Sequence, residues 1–434
     1  MTVPAPKRLV WLLAPVAAFA ATLALLTAVQ GGGGAASIPS SVDAEIDALR
    51  VGGTSIPELQ QTLRDDPANV TAYTALGALY LQRARETSDP AYYDRAGQAF
   101  EAARRLAPTD ADAAVGLGTL ALARHDFSHG LELGLEAARL APESPRPFAV
   151  IADAQIELGR YAAAARTLER MVTLKPNLAS YSRVSYFREL HGDLAGAAQA
   201  MALAVSAGGG SAENTAYVQT LLGTLELARG RIDMARVAYG RALAGLPSYV
   251  PAQAGLARID AASGREAAAI ASYKRIVARR PLPEYAIALA ETERVAGRTT
   301  AARADLDLVR AEGRLLRAAG VNVDVEIALF EADHGDPAEA VRLGQRALAA
   351  APSVRSEDAL GWALTSAGQP AAGLTHARRA LRLGSADPTF LYHAGVAARA
   401  SGHDELGRRW VTRALEHRAA LGPYHALRAE EALR

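Results

Sequence analysis

The chain has 434 residues, half of them apolar but only 6% aromatic, with a formal net charge of +1 and no cysteine. Near-neutral charge argues against a dedicated nucleic-acid binder, which shows a basic excess or stripe. The absence of cysteine removes disulfides, cysteine-based zinc sites, thiol catalysis and a lipid-bearing cysteine, and the few rings mean a core built from Ala, Leu and Val at close helix contacts.

Residues 1–8 end in Lys7 and Arg8, which precede an uncharged apolar run from Leu9 to Val29. Its twenty-one residues span roughly 30 Å as a helix, enough to cross a bilayer core. Two readings stand. As an uncleaved signal anchor, 9–29 is a transmembrane helix, and Pro15 is tolerated there. As a cleaved signal peptide, the run exceeds the usual roughly 7–15 residues, and its small-x-small site comes late, at Gly34-Ala35-Ala36. Either way the basic pair holds the N-terminus on the cytoplasmic side, so the body lies outside, membrane-held or secreted. Residues 30–54 open on Gly31 to Gly34 and read as a flexible tether. Within it, Val42, Ile46 and Leu49 have helical spacing.

Residues 55–67 place Ile56, Leu59 and Leu63 on one helical face and end in Asp65-Asp66-Pro67. This half-hairpin suits the capping end of a stack. Pro108, Pro142 and Pro176 then follow at a spacing of 34, as do Pro247 and Pro281. Between them recur a helix opening near Ala111 or Pro145, a turn near Asp126 or Gly159, and a second helix closing in "AARLAP" or "MVTLKP". A fixed period of this length marks a stacked helical array. Proline ends each second helix by denying it an amide donor. Gly159, Gly192, Gly230, Gly264, Gly297, Gly335, Gly368 and Gly402 mark the turns, where glycine supplies a left-handed cap.

The motif residues resemble the tetratricopeptide repeat family. The first full repeat carries Tyr73, Leu76, Gly77 and Tyr80, then Ala96, Phe100, Ala103 and Pro108, with seven surplus residues in "RARETSDPAYYD". Leu117, Gly118, Gly130, Ala137 and Pro142 mark the second repeat, and Phe148, Ile151, Ala164, Leu168 and Pro176 the third. The fourth departs, with Ser185-Tyr186 where Leu-Gly is expected and Gly208 to Gly210 in place of proline. The fifth resumes with Leu222, Gly223, Ala235, Tyr239 and Pro247, and the seventh has a long second helix through Leu315 to Gly320. The resemblance covers about 68–421. It implies an all-α, right-handed α-solenoid of about ten helix–turn–helix repeats, closed at 422–434 by a C-terminal solvating helix. The load of Arg over Lys, Ala and Gly looks like a GC-rich bacterial genome.

The resemblance also implies a concave groove lined by the first helices. Its inward positions hold Arg146, Arg183, Phe187, Tyr217, Arg258, Arg294, Trp362, Tyr392 and Arg399. Arginine with aromatic side chains is common anchor chemistry for an extended peptide. The Lys/Asn carboxylate clamp of chaperone-binding members is absent, because the fifth positions read Thr74, Val115, Ala149, Arg183, Thr220 and Ala254. His125 and His129 have metal-compatible spacing but read as a surface pair, since no third ligand is near. The histidines of the last sixty residues, His376 to His425, read as surface or satisfied groups. No nucleophile elbow, phosphate loop or His-Glu-x-x-His helix appears, so no catalytic or cofactor residue is assigned. The expectation is a non-enzymatic, extracytoplasmic scaffold binding a protein or peptide in its groove. The alternative is an accessory or assembly subunit of a membrane transport, secretion or cell-wall complex, docking through its convex face and the Tyr92-Tyr93 insertion.

Overall fold

The computed structural model describes residues 54–208 and 212–434. The apolar run 9–29, the tether up to Gly53 and the glycines Gly209 and Gly210 lie outside the described residues, so the anchor and signal readings do too. Among the described residues every regular element is helical, and no helix is long and apolar enough to cross a membrane.

Helix α1 (Ile56–Asp65) starts on a reciprocal cap between Ser55 and Glu58 and packs its buried Leu59 on the first hairpin. Ten hairpins follow. They are α2–α3 (Val70–Thr87, Ala91–Leu106), α4–α5 (Ala111–Ala123, Phe127–Leu140), α6–α7 (Arg146–Glu157, Tyr161–Leu174), α8–α9 (Leu178–Leu190, Leu194–Ala207) and α10–α11 (Ala212–Ala228, Ile232–Gly245). The second five are α12–α13 (Val250–Ala262, Glu266–Arg279), α14–α15 (Pro283–Val295, Thr299–Ala318), α16–α17 (Asp324–His334, Pro337–Ala350), α18–α19 (Val354–Ser366, Pro370–Ala380) and α20–α21 (Pro388–Ala400, Asp404–Glu416). Two terminal helices complete the chain, α22 (Arg418–Leu421) and α23 (Pro423–Leu433). The periodic prolines act as the sequence implies. Pro108, Pro142, Pro176, Pro247 and Pro281 each stand two residues past the last helical residue.

Small residues twelve apart bring the two helices of a hairpin together. A Cβ added at Gly361 would lie 3.0 Å from the Gly373 carbonyl oxygen, and one at Gly395 equally close to Gly407. Ala152 and Ala164, and Ala257 and Ala269, hold the same places and are buried. In the fourth hairpin this place belongs to Ser185, whose hydroxyl donates to the Ala197 carbonyl at 2.8 Å. Tyr186 is therefore one residue past the close contact. It leaves the stack closed and points its hydroxyl at Glu157 Oε1, 3.2 Å away.

An open solenoid lets each repeat touch only its neighbours. Here the turn of each of the first five hairpins also meets the junction that precedes the helix six hairpins later. Arg280, ahead of α14, donates through Nε to Ser88 Oγ at 2.8 Å and through Nη2 to the Arg85 carbonyl. The amide of Asn322, ahead of α16, donates to the Arg124 carbonyl at 3.0 Å, and its own carbonyl accepts from His125 Nδ1 at 2.6 Å. The amide of Val354, opening α18, donates to the Tyr161 hydroxyl at 2.8 Å. Gly192 abuts the Gly384 carbonyl ahead of α20, and Gly230 approaches the His417 ring ahead of α22. The coil thus closes turn on turn, six hairpins per turn, along a continuous seam.

The seam explains two irregularities. The seven surplus residues of the first repeat lengthen α2, whose end reaches Arg280, and Tyr93 packs against the core of the seventh and eighth hairpins. The twenty-residue α15 delivers Asn322 to the α4–α5 turn. Gly159 and Gly192 meet two demands at once. Their φ values are +68° and +77°, and a Cβ on either would strike a carbonyl oxygen of the next turn, that of Pro352 or Gly384. Gly335 departs from the expected left-handed cap, with φ −139°.

Candidate functional site: the inner face and its cover

The first helices line the bore of the coil, but their inward side chains are engaged with the chain itself. Arg183 is fully buried and grips Asp153 of α6 through Nε and Nη2, at 2.9 and 2.7 Å. Arg146 pairs with Asp112 of the preceding hairpin. Phe187 packs on the His191 ring at 4.2 Å, and Tyr217 is buried in the core between α8 and α10. Arg399 lies at the rim, paired with Asp404 at 2.7 Å. The fifth positions Thr74, Val115, Ala149, Thr220 and Ala254 are all buried.

The other four named residues meet in one network beneath the terminal helices. Arg258 of α12 donates to the carbonyls of Ala419, at 3.2 Å, and Ala420. Arg294 of α14 donates to His334 Nδ1 at 3.0 Å, which places that ring's proton on Nε2, facing Glu291 Oε1 at 3.0 Å. Trp362 of α18 donates to Asp333 Oδ1 at 3.0 Å and stacks on His393 at 4.3 Å. The other oxygen of Asp333 accepts from His425 Nε2 at 3.2 Å. Tyr392 of α20 stands 5.4 Å from the Trp362 ring. Burial alone would raise the Asp333 carboxyl, but the His425 charge and hydrogen bond hold it down to about 2. Burial works against His425 in turn, and Asp333 with Glu291 holds it above the usual imidazole value.

A second buried network sits on the seam. Arg355 of α18 lies 3.9 Å from Glu157 of α6 and 3.5 Å from Glu326 of α16. Burial outweighs that cation and pushes Glu157 up to about 7. Nearby, burial together with Asp387 across the seam pushes Glu189 up to about 8. Sequence reasoning missed Glu157 and Arg355, because contacts between residues six hairpins apart leave no mark in a 34-residue period, and it missed the roles of Asp333, His334, Tyr424 and His425, because the period does not tell where the terminal helices fold back. The reading of His125 as a surface group is corrected. It takes a left-handed φ of +57° where other hairpins have glycine, and it is buried on Asn322, while His129 is exposed.

Residues 150–212 and 226–292 each match a family model described as a tetratricopeptide repeat. Those two stretches, within the third to seventh hairpins, are similar to tetratricopeptide repeats. No curated protein matches the chain. Among solved structures it is similar to a thermophilic tetratricopeptide repeat protein of Thermus thermophilus, at 21% identity over 42% of this chain and 98% of that one, TM-score 0.37. It is also similar to a tetratricopeptide repeat protein of Parabacteroides merdae, at 16% identity over 56% and 91% respectively, TM-score 0.33. Tetratricopeptide repeats are generally protein-interaction modules.

The outer face of the helical array differs from the inner. Among the described residues, seven of the eight large apolar side chains that stand exposed lie on second helices: Leu106, Leu135, Leu140, Leu203, Met234, Val237 and Leu315. Leu106 of α3 and Leu135 of α5 belong to neighbouring helices, whose outer faces are within side-chain reach at the Arg104–Glu136 pair, 4.0 Å apart. Tyr92 is half-buried, within 6.0 Å of Tyr80, so the insertion is packed as well as peripheral.

Proposed function

We propose that the chain is a non-enzymatic interaction scaffold. It is held outside the cytoplasmic membrane by its N-terminal segment and docks a protein partner on the outer face of its second helices. This is the manner of an accessory or assembly subunit of a membrane complex. One observation carries the reading: the inward side chains are committed to the chain's own contacts, while the exposed large apolar side chains stand on the outer helices. Apolar side chains exposed close together are a mark of protein docking. Binding at Arg258, Arg294, Trp362 and Tyr392, which the sequence suggests as inward anchors, requires the terminal helices to leave.

The test is site-specific photocrosslinking in cells, with the crosslinker in place of Leu135 or Leu106 on the outer face, or of Phe187 inside. The reading expects one discrete adduct from the outer positions, lost on Leu106→Asp/Leu135→Asp with the helical signal intact. An adduct from Phe187 alone overturns it.

A further inference from the structure

The terminal helices do more than shield the last repeat. Helix α22 packs on α10, α12 and α20, and α23 packs on α14, α20 and α21, so the segment crosses the bore from the last hairpin to the fifth, sixth and seventh. Three features seat it. The Ala419 and Ala420 carbonyls, at the C-terminal end of a short helix where no intrahelical donor remains, receive Arg258. The Tyr424-His425 pair meets charged partners, Tyr424 at Arg294 and His425 at Asp333. Leu421, Ala426 and Ala429 pack into the cluster of Trp362, Leu391 and Tyr392.

Hairpins in this array pack on their neighbours and meet the next turn of the coil only at the seam, whereas this segment packs on the first helices of hairpins distant in sequence. It joins the array only through the end of α21, and Gly422, at φ +89°, turns the chain between its two helices. It is held as a bound peptide is held. Its departure takes both carbonyl acceptors from Arg258 and leaves Asp333 with Trp362 but without its imidazole partner, a costly state for buried charges. The bore therefore favours exchange of one occupant for another over standing empty.

We propose that α22–α23 is an intramolecular occupant of a helix-binding groove, and that a partner's helical segment replaces it there. The chemistry of the partner follows from the seat. It is a short helix ending in free carbonyls, then a turn, then a helix opening on adjacent aromatic and imidazole side chains backed by small apolar residues. This site is separate from the outer face, and outer-face docking neither requires nor excludes it.

The test uses the full chain and a fluorescent synthetic peptide with the sequence of residues 417–434, read by anisotropy. A tethered occupant competes at an effective concentration in the millimolar range. The wild-type chain is therefore expected to bind the peptide about 100-fold more weakly than the Tyr424→Ala/His425→Ala chain, whose own segment is loosened while the groove is intact. Adding Arg258→Ala to that chain is expected to reduce binding by about tenfold, one lost charge-assisted contact. Equal binding to wild type and double variant, or none to a double variant that keeps its helical signal, overturns the proposal. Hydrogen exchange on the unaltered chain is a second check. Amides of 418–433 are expected to exchange at least about tenfold faster than those of α12 and α14, through local opening. Exchange of all three only in concert overturns the proposal even where the variant misfolds.

Discussion

Replacing a glycine at the seam separates the cost of a backbone conformation from the cost of parting two turns. Gly159, Gly192 and Gly264 occupy the same turn position in three hairpins, with φ of +68°, +77° and +73°. Alanine at any of them pays the left-handed penalty of about 1–2 kcal/mol. At Gly264 nothing lies within 4 Å of the added Cβ, because the sixth hairpin has no turn of the coil above it. At Gly159 and Gly192 the methyl meets the carbonyl of Pro352 or Gly384, and forcing such a contact adds about 1–3 kcal/mol. Urea transitions followed by circular dichroism therefore place Gly159→Ala and Gly192→Ala below Gly264→Ala by that increment. Small-angle scattering shows a larger radius of gyration for the first two alone. Equal transitions and equal radii for all three variants would refute the seam as a structural element.

Three further outcomes follow from the contacts. Arg183→Ala, which strands Asp153 in the core, is expected to cost about 3–5 kcal/mol in urea denaturation, and Arg183→Met/Asp153→Leu to recover most of it. Phe100→Ala, which empties the space between Gly77 and Gly116, is expected to cost about 3–5 kcal/mol by the same measurement, most of it within the first two hairpins. Glu189 has a folded value of about 8 against 4.5 for the free group, so the folded chain keeps a proton that the unfolded chain loses. Its contribution is whole below pH 4.5, fades as pH rises and is gone above about 8. Glu189→Gln is then expected to raise the melting temperature at about pH 9 and leave it unchanged at about pH 4. A uniform shift at both pH values would count against a buried, protonated carboxyl.

The array was legible because its determinants are local. Proline two residues past six of the ten second helices, glycine in most turns and small residues twelve apart recur with the period, and each acts within one hairpin. The places of Arg183 and Trp362 were legible as inward positions, but their partners were not. Asp153 lies one hairpin away and falls within reach of period reasoning, whereas Asp333 is joined by His425 from the end of the chain. The curvature that brings Glu157 to Arg355 accumulates from small rotations over six hairpins, and no single motif encodes it. Repeat irregularities were the available clue: the lengthened α2 and α15 are where the coil meets itself.

The seam has a consequence for synthesis. Gly192 meets Gly384, 192 residues later in the chain. At a ribosomal pace of about 5–20 residues per second, the fourth hairpin waits roughly 10–40 s for the hairpin that will sit on it. Hairpins form far sooner, within microseconds to milliseconds. The nascent chain thus passes through a stage in which five finished hairpins present an uncovered upper edge. That edge carries the Tyr161 and Tyr186 hydroxyls, Glu157 and backbone carbonyls among its apolar groups. Polarity there keeps the growing chain in solution until its second turn arrives.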